Sequence, residues 1–236
     1  MLGGFFVLPE IMLKKMFLIL IRYGKFFVLL YHNMNVLAHI YLSGDSEKII
    51  IGNYIGDYVK GRDYLKYPDL IRKGIILHRH IDGFTDSHPV VHRSKIFFTR
   101  KYHRYAGVVT DIIYDHFLTK EWDFFSRRPL ESVTYNFYRA LVNNYDILPE
   151  NVQQMMPFFI INNWIESYQT INGIRHVLKT LSKRTTLPKE SRFAIRALKK
   201  NYYSLQDDFM EFFPQLIDFV EKDFGVEISH RITIPF

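Results

Sequence analysis

Cysteine is absent from all 236 residues. Disulfides, thiolate nucleophiles and cysteine-held zinc are therefore excluded, and this usage fits a reducing cytoplasm. Also missing are a glycine-rich phosphate loop, a GxSxG elbow and an HExxH pair. Their absence removes nucleotide-loop kinases, serine hydrolases and the common zinc proteases. Long alternating runs of β-branched residues with Asn-Gly turns do not occur, nor does any internal repeat or low-complexity tract.

What is present is apolar: 48% hydrophobic and 17% aromatic, too much for disorder and enough at this length to bury one domain's core. The formal charge of +7 divides unevenly. Lys14, Lys15, Arg22 and Lys25 against Glu10 give residues 1–33 a net of +3, leaving +4 for residues 34–236. Such a mildly basic body suits an acidic partner. It falls short of a nucleic-acid footprint, which calls for a clustered basic stripe, so no nucleic acid is expected.

Residues 1–33, MLGGFFVLPEIMLKKMFLILIRYGKFFVLLYHN, are cut by charge so that MFLILI and FFVLLY are the longest apolar pieces after the lysines. An integral span needs roughly 20 apolar residues, and a signal peptide puts its charges before a single apolar core. Neither fits. Three readings stay open: a surface-lying amphipathic helix, an extra helix on the domain, or translated leader. Met34 opens MNVLAHIYLSG, a change of texture that favours the leader, with residues 34–236 as the functional domain.

The body reads as all-α. In LKYPDLIRKGIILHRHID the apolar residues Leu70, Ile71, Ile75 and Leu77 follow a helical period. Val108, Ile112, Leu118 and Trp122 form a second stripe, and residues 131–145, 155–168, 172–183 and 189–222 continue the pattern. Pro68, Pro89, Pro129, Pro149, Pro157, Gly173 and Pro188 are expected at helix ends. Ser87-His88-Pro89 reads as a helix start.

Four pairs of ligand-capable residues stand at i and i+4: Asn35 with His39, Asn53 with Asp57, His78 with Asp82, and Asp111 with Asp115. On a helix each pair shares a face. Two of the faces are apolar: Ile71, Ile75, His78 and Asp82 line up, as do Val108, Asp111, Ile112, Asp115 and Leu118. Buried carboxylates need compensation, and a shared divalent cation supplies it to several at once. Taken singly, the first two pairs also fit core contacts, with Gly52 and Gly56 permitting close packing around the second. His80 and His92 read as bystanders, and His88 as a cap or a residue at a pocket mouth. Arg79 is a phosphate-reading candidate, with an exposed salt bridge as its ordinary alternative. Imidazole and carboxylate without sulfur suit manganese, iron or magnesium, with zinc also compatible, and point to metal-assisted phosphoester hydrolysis.

The blocks MNVLAHIYLSG, IIGNYIGDYVKG, GIILHRHIDGFTDSHP, DIIYDHFLTKEW, INNWIESYQTINGIRHVLKTLSKR and LQDDFMEFFPQL together resemble the acyl carrier protein phosphodiesterase family over roughly residues 34–222. That family is similar to the HD-type metal-dependent phosphohydrolases, with the doublet here reversed to Asp115-His116. The resemblance implies a single multi-helix domain of that type. It implies removal of 4′-phosphopantetheine from holo-acyl carrier protein, with manganese the usual metal and magnesium or iron as substitutes. It further implies functional roles for His39, Asn53, Asp57, His78, Asp82, Asp86, Asp111, Asp115 and His116. The expected metal ligands are His39, Asp57, His78, Asp82 and Asp115. His116 is the expected general acid, Arg79, Asp111 and Asn53 join it in catalysis, and Asp86 and Asn35 lie behind the ligands. Lys60, Arg62, Arg93 and Lys95 are candidates for docking an acidic carrier. The competing expectations are a phosphohydrolase of nucleotides or other small phosphoesters, and a non-catalytic helical interaction module.

Overall fold

The computed structural model describes residues 36–229; Asn35, the segment 1–33 and the final residues lie outside this range. Twelve α-helices fill it, and no β-strand occurs among the described residues. They are α1 (Val36–Tyr41), α2 (Glu47–Ile55), α3 (Asp69–Ser87), α4 (Pro89–Tyr102), α5 (Ala106–Lys120) and α6 (Trp122–Phe125). After them come α7 (Leu130–Asn143), α8 (Glu150–Ile161), α9 (Trp164–Ser167), α10 (Ile171–Arg184), α11 (Ser191–Lys200) and α12 (Tyr202–Phe224). Short 3-10 turns span Gly56–Tyr58 and Asp63–Lys66, between α2 and α3.

Local chemistry explains most boundaries. Ser46 caps α2 by accepting from the Ile49 amide, and Thr170 caps α10 by accepting from Gly173. Pro89 opens α4 behind His88, whose Nδ1 accepts from the Val90 amide. Several boundaries differ from the sequence expectation. Pro157 lies inside α8 rather than at a helix end, whereas Gly173 lies in the first turn of α10, as expected. Residues 155–168 break at Asn163, which adopts left-handed backbone (φ 41°), and 189–222 divides at Asn201.

α5 runs through the interior, with Val109, Ile112, Phe117 and Leu118 fully buried. α1, α4, α10 and α12 pack around it. The closest crossing joins α2 to α3. A Cβ on Gly52 would lie 2.0 Å from the Ile71 carbonyl oxygen, and one on Gly74 would lie 2.3 Å from that of Ile49. Two missing side chains thus let the backbones touch. One turn further on, a Cβ at Gly56 would lie 2.3 Å from the His78 ring. The crossing therefore seats His78 against the end of α2.

Leu70, expected on the apolar stripe of α3, is 51% exposed instead. The charge is also more clustered than the total suggests. Residues 171–200 carry nine Lys and Arg against Glu190 alone, a net of +8, so the other residues sum to −1. No helix among the described residues is long and apolar enough to cross a membrane.

Candidate metal centre

His39 reaches the site from α1, His78 and Asp82 from α3, and Asp57 from the turn after α2. Each histidine is about 1% exposed. The rings of His39 and His78 stack with centroids 4.3 Å apart. Their Nε2 atoms approach opposite oxygens of Asp82, His39 at 3.3 Å and His78 at 3.1 Å. His78 Nε2 also lies 3.2 Å from Asp57 Oδ1.

These approaches are not hydrogen bonds. Both Nε2 atoms are buried and lack an aligned partner, as does His78 Nδ1. Buried ring nitrogens without partners are costly. One ligand atom each from His39, His78 and Asp82 lies within 4.8 Å of the other two, the arrangement of side chains that share a cation. Two imidazoles and a carboxylate match the donors a first-row divalent ion takes. The residues present therefore fit such a group.

The His39 tautomer follows from its surroundings. Asn53 donates from Nδ2 to the His39 carbonyl at 3.0 Å and to Ser43 Oγ at 2.9 Å. Its Oδ1 therefore faces His39 Nδ1, at 2.6 Å, and accepts a hydrogen bond from the Nδ1–H. The lone pair of His39 is left on Nε2, toward Asp82. Such a partner fixes ring orientation and raises ligand basicity. Ser43, whose hydroxyl donates to the His39 carbonyl at 2.7 Å, completes the network. No spacing or periodicity in the sequence singles Ser43 out.

Electrostatics tie the group together. Burial alone would lower the His78 pKa, but Asp57 and Asp82 outweigh it and push it up to about 9. Burial works against the charge of Asp82, yet His39 and His78 hold its carboxyl well below the usual range. Asp111, half-buried on α5, faces this group. Loss of water first, then the charges of Asp82, Asp86 and Asp57, push its pKa up to about 8 against an opposing pull from Lys95. Asp86 is exposed and pairs with Lys95 at 2.8 Å on the rim.

Asp115 and His116, expected as ligand and general acid, have hydrogen-bond partners other than His39, His78 and Asp82. Asp115 is fully buried, and its two oxygens accept from the amides of Leu37 (3.1 Å) and Ala38 (3.0 Å). It satisfies orphan donors at the start of α1, the helix that carries His39. Burial drives its carboxyl well above the usual range despite those two bonds. His116 turns to the other side of α5. Its Nδ1 donates to the Tyr168 carbonyl at 2.7 Å, leaving Nε2 to accept from the Tyr202 hydroxyl at 3.1 Å. With both nitrogens engaged, it has none left for a leaving group.

Arg79 is also spoken for. It donates to the Val59 and Gly61 carbonyls, each at 2.9 Å, and its guanidinium lies over the Tyr64 ring. It braces the loop that follows the turn bearing Asp57. Arg93 is held by Asp208 and Glu211. Lys60 and Arg62 are exposed and make no ion pair among the described residues. His88 caps α4, while His80 and His92 are exposed and distant from the cluster in role.

A family model described as acyl carrier protein phosphodiesterase matches residues 34–216, a span that holds every residue of the cluster. Similar proteins include an acyl carrier protein phosphodiesterase of Yersinia pestis, 28% identical over 187 residues, which are 78% of this chain and 96% of that one. Another, of Photorhabdus laumondii, is 29% identical over 193 residues, covering 81% and 98%. No solved structure matches, so the HD-type likeness has no structural neighbour behind it.

Proposed function

Because the chain belongs to the acyl carrier protein phosphodiesterase family, we propose that it hydrolyses the phosphodiester joining 4′-phosphopantetheine to a serine of holo-acyl carrier protein. The products are apo-acyl carrier protein and 4′-phosphopantetheine. The observation that carries this reading is the convergence of two partnerless histidine nitrogens on Asp82. A cytoplasmic setting, where carrier proteins work, belongs to the same reading.

His39, His78 and Asp82 would hold a divalent ion, manganese by family resemblance, with magnesium or iron suited to the same donors. Such an ion polarises a phosphoryl oxygen and acidifies bound water. The chain's own contribution is to keep ligands and protons in place. Asn53 keeps the His39 lone pair on Nε2. Asp57 balances the charge beside His78. Water adds to phosphorus, the bond from phosphorus to the serine oxygen breaks, and the proton that water gives up reaches that oxygen. Asp111, the half-buried carboxyl on α5, is the candidate to pass it.

Incubating the purified protein and manganese with holo-carrier and, separately, with a nucleotide panel tests the reading. Mass spectrometry should show carrier converted to its apo form. Turnover of nucleotides alone would refute it.

A further inference from the structure

The bond to be cleaved sits one serine side chain from the carrier's backbone, so the carrier's folded body must rest against the rim of the metal centre. The segment from Val59 to Leu70 leaves the turn bearing Asp57 and leads into α3, the helix of His78 and Asp82, and so joins the elements that build the site. Arg79 pins this segment through the Val59 and Gly61 carbonyls and the Tyr64 ring. Arg79 follows His78 directly, so the segment is indexed to a proposed ligand rather than left free.

Its surface is unusual for this chain. Leu65 and Leu70 are 50% and 51% exposed, two of seven exposed large apolar side chains among the described residues. Tyr64 and Tyr67 are half-buried beside them. Five cations (Lys60, Arg62, Lys66, Arg72 and Lys73) face only Asp63 and Asp69. Those two acids pair locally, with Lys66 and Arg72. Lys60 and Arg62 remain without an ion pair among the described residues.

Resting on the function proposed above, we infer that residues 59–70 form the docking platform for the carrier protein, Leu65 and Leu70 as apolar anchors and Lys60 and Arg62 as the charged edge. Exposed leucines ringed by cations suit a partner whose surface is acidic around an apolar patch. The competing surface is the basic face of α10 and α11. It holds more charge, including Arg175, Lys179, Arg192 and Arg196, all exposed. Its apolar residues, such as Ile174, Leu178 and Leu198, are spent on the core, and it offers no exposed anchor among the described residues. Nor does any ligand candidate lie on it.

The test uses the full chain with manganese and two double variants of the platform, Lys60→Glu with Arg62→Glu and Leu65→Ser with Leu70→Ser. A third, Arg192→Glu with Arg196→Glu on α11, serves for comparison. Fluorescence anisotropy of labelled apo-carrier gives Kd, and phosphopantetheine release gives KM and kcat. Each platform variant should raise Kd and KM by about tenfold or more, with kcat held within about threefold. The α11 variant should shift Kd by less than about threefold, as charge outside the contact acts mainly on encounter. Platform variants that match wild-type Kd and KM overturn the platform while leaving the function intact, as does a loss confined to the α11 variant. Wild type that binds apo-carrier but releases no phosphopantetheine overturns the function while the platform stands. Wild type that does neither overturns both. Circular dichroism confirms that the variants fold, and agreement between the charge and apolar pairs guards against loss of either one.

Discussion

At the scale of single residues, Asn53 and Asp111 support the centre in different ways, and their variants should separate. Asn53 is fully buried, and its side chain hydrogen-bonds His39 and Ser43. Asn53→Ala frees the His39 ring, so metal affinity should fall about 10–100-fold, read by titration with manganese. Asp111 makes no contact that would hold His39 or His78 in place. Asp111→Asn should keep the metal and lower kcat by about 10²–10⁴-fold, read in single-turnover assays at saturating carrier. Loss of metal from Asp111→Asn would instead make it a ligand. The sequence makes the His78–Asp82 pair legible because both partners share one face of one helix. It hides the approach of Asp82 to His39, since that contact joins residues 43 apart on two helices and nothing in local spacing records it. Asp115 misleads for the same reason. Its apolar stripe is real, and its two hydrogen-bond donors are backbone amides of α1, which local spacing does not record.

At the scale of elements, two joints decide where the ligands lie. The first is the crossing of α2 and α3, where Gly52→Ala drives a Cβ into backbone that cannot swing aside. Such overpacking costs about 1–3 kcal/mol, which a shift in urea midpoint measures. The second is the start of α1. Asp115→Ala leaves the Leu37 and Ala38 amides without their acceptor, and each buried orphan costs about 1–3 kcal/mol. Because that helix carries His39, the variant should also bind manganese more weakly; unchanged affinity would uncouple cap from site. Helical period and capping residues foretell most of these elements, as Ser46 and Pro89 show. Pro157 reads wrongly as an end because packing overrides its local signal, whereas Gly173 does stand at a helix start, where a Cβ would lie 1.7 Å from the Ser167 carbonyl oxygen. Asn163 and Asn201 break two long periodic runs with no proline or glycine to announce them.

For the whole molecule, the interior joins apolar packing to a few polar links between distant helices, and pH tests one of them. Burial lowers the His116 pKa from its ordinary 6.5, opposed by the Tyr168 carbonyl. The unfolded chain therefore takes up the proton first as pH falls. The stability this neutral ring contributes is complete above about pH 6.5 and is lost progressively below it. The part of the stability that belongs to His116, read as the difference in urea midpoint between wild type and His116→Gln, should shrink from pH 7.5 to pH 5. A difference that stays constant with pH would place the proton uptake elsewhere. Charge at this scale escapes a simple total: a net of +7 hides a sum of +8 over residues 171–200, of which Arg175, Lys179, Arg192 and Arg196 are exposed on α10 and α11.

The central claim is that His39, His78 and Asp82 hold the divalent ion on which phosphodiester cleavage depends. Elemental analysis of manganese retained per chain after gel filtration, on wild type and Asp82→Ala, tests it most directly. Wild type should retain manganese stoichiometrically, and the variant should retain almost none while folding normally by circular dichroism. Full retention by Asp82→Ala would contradict it.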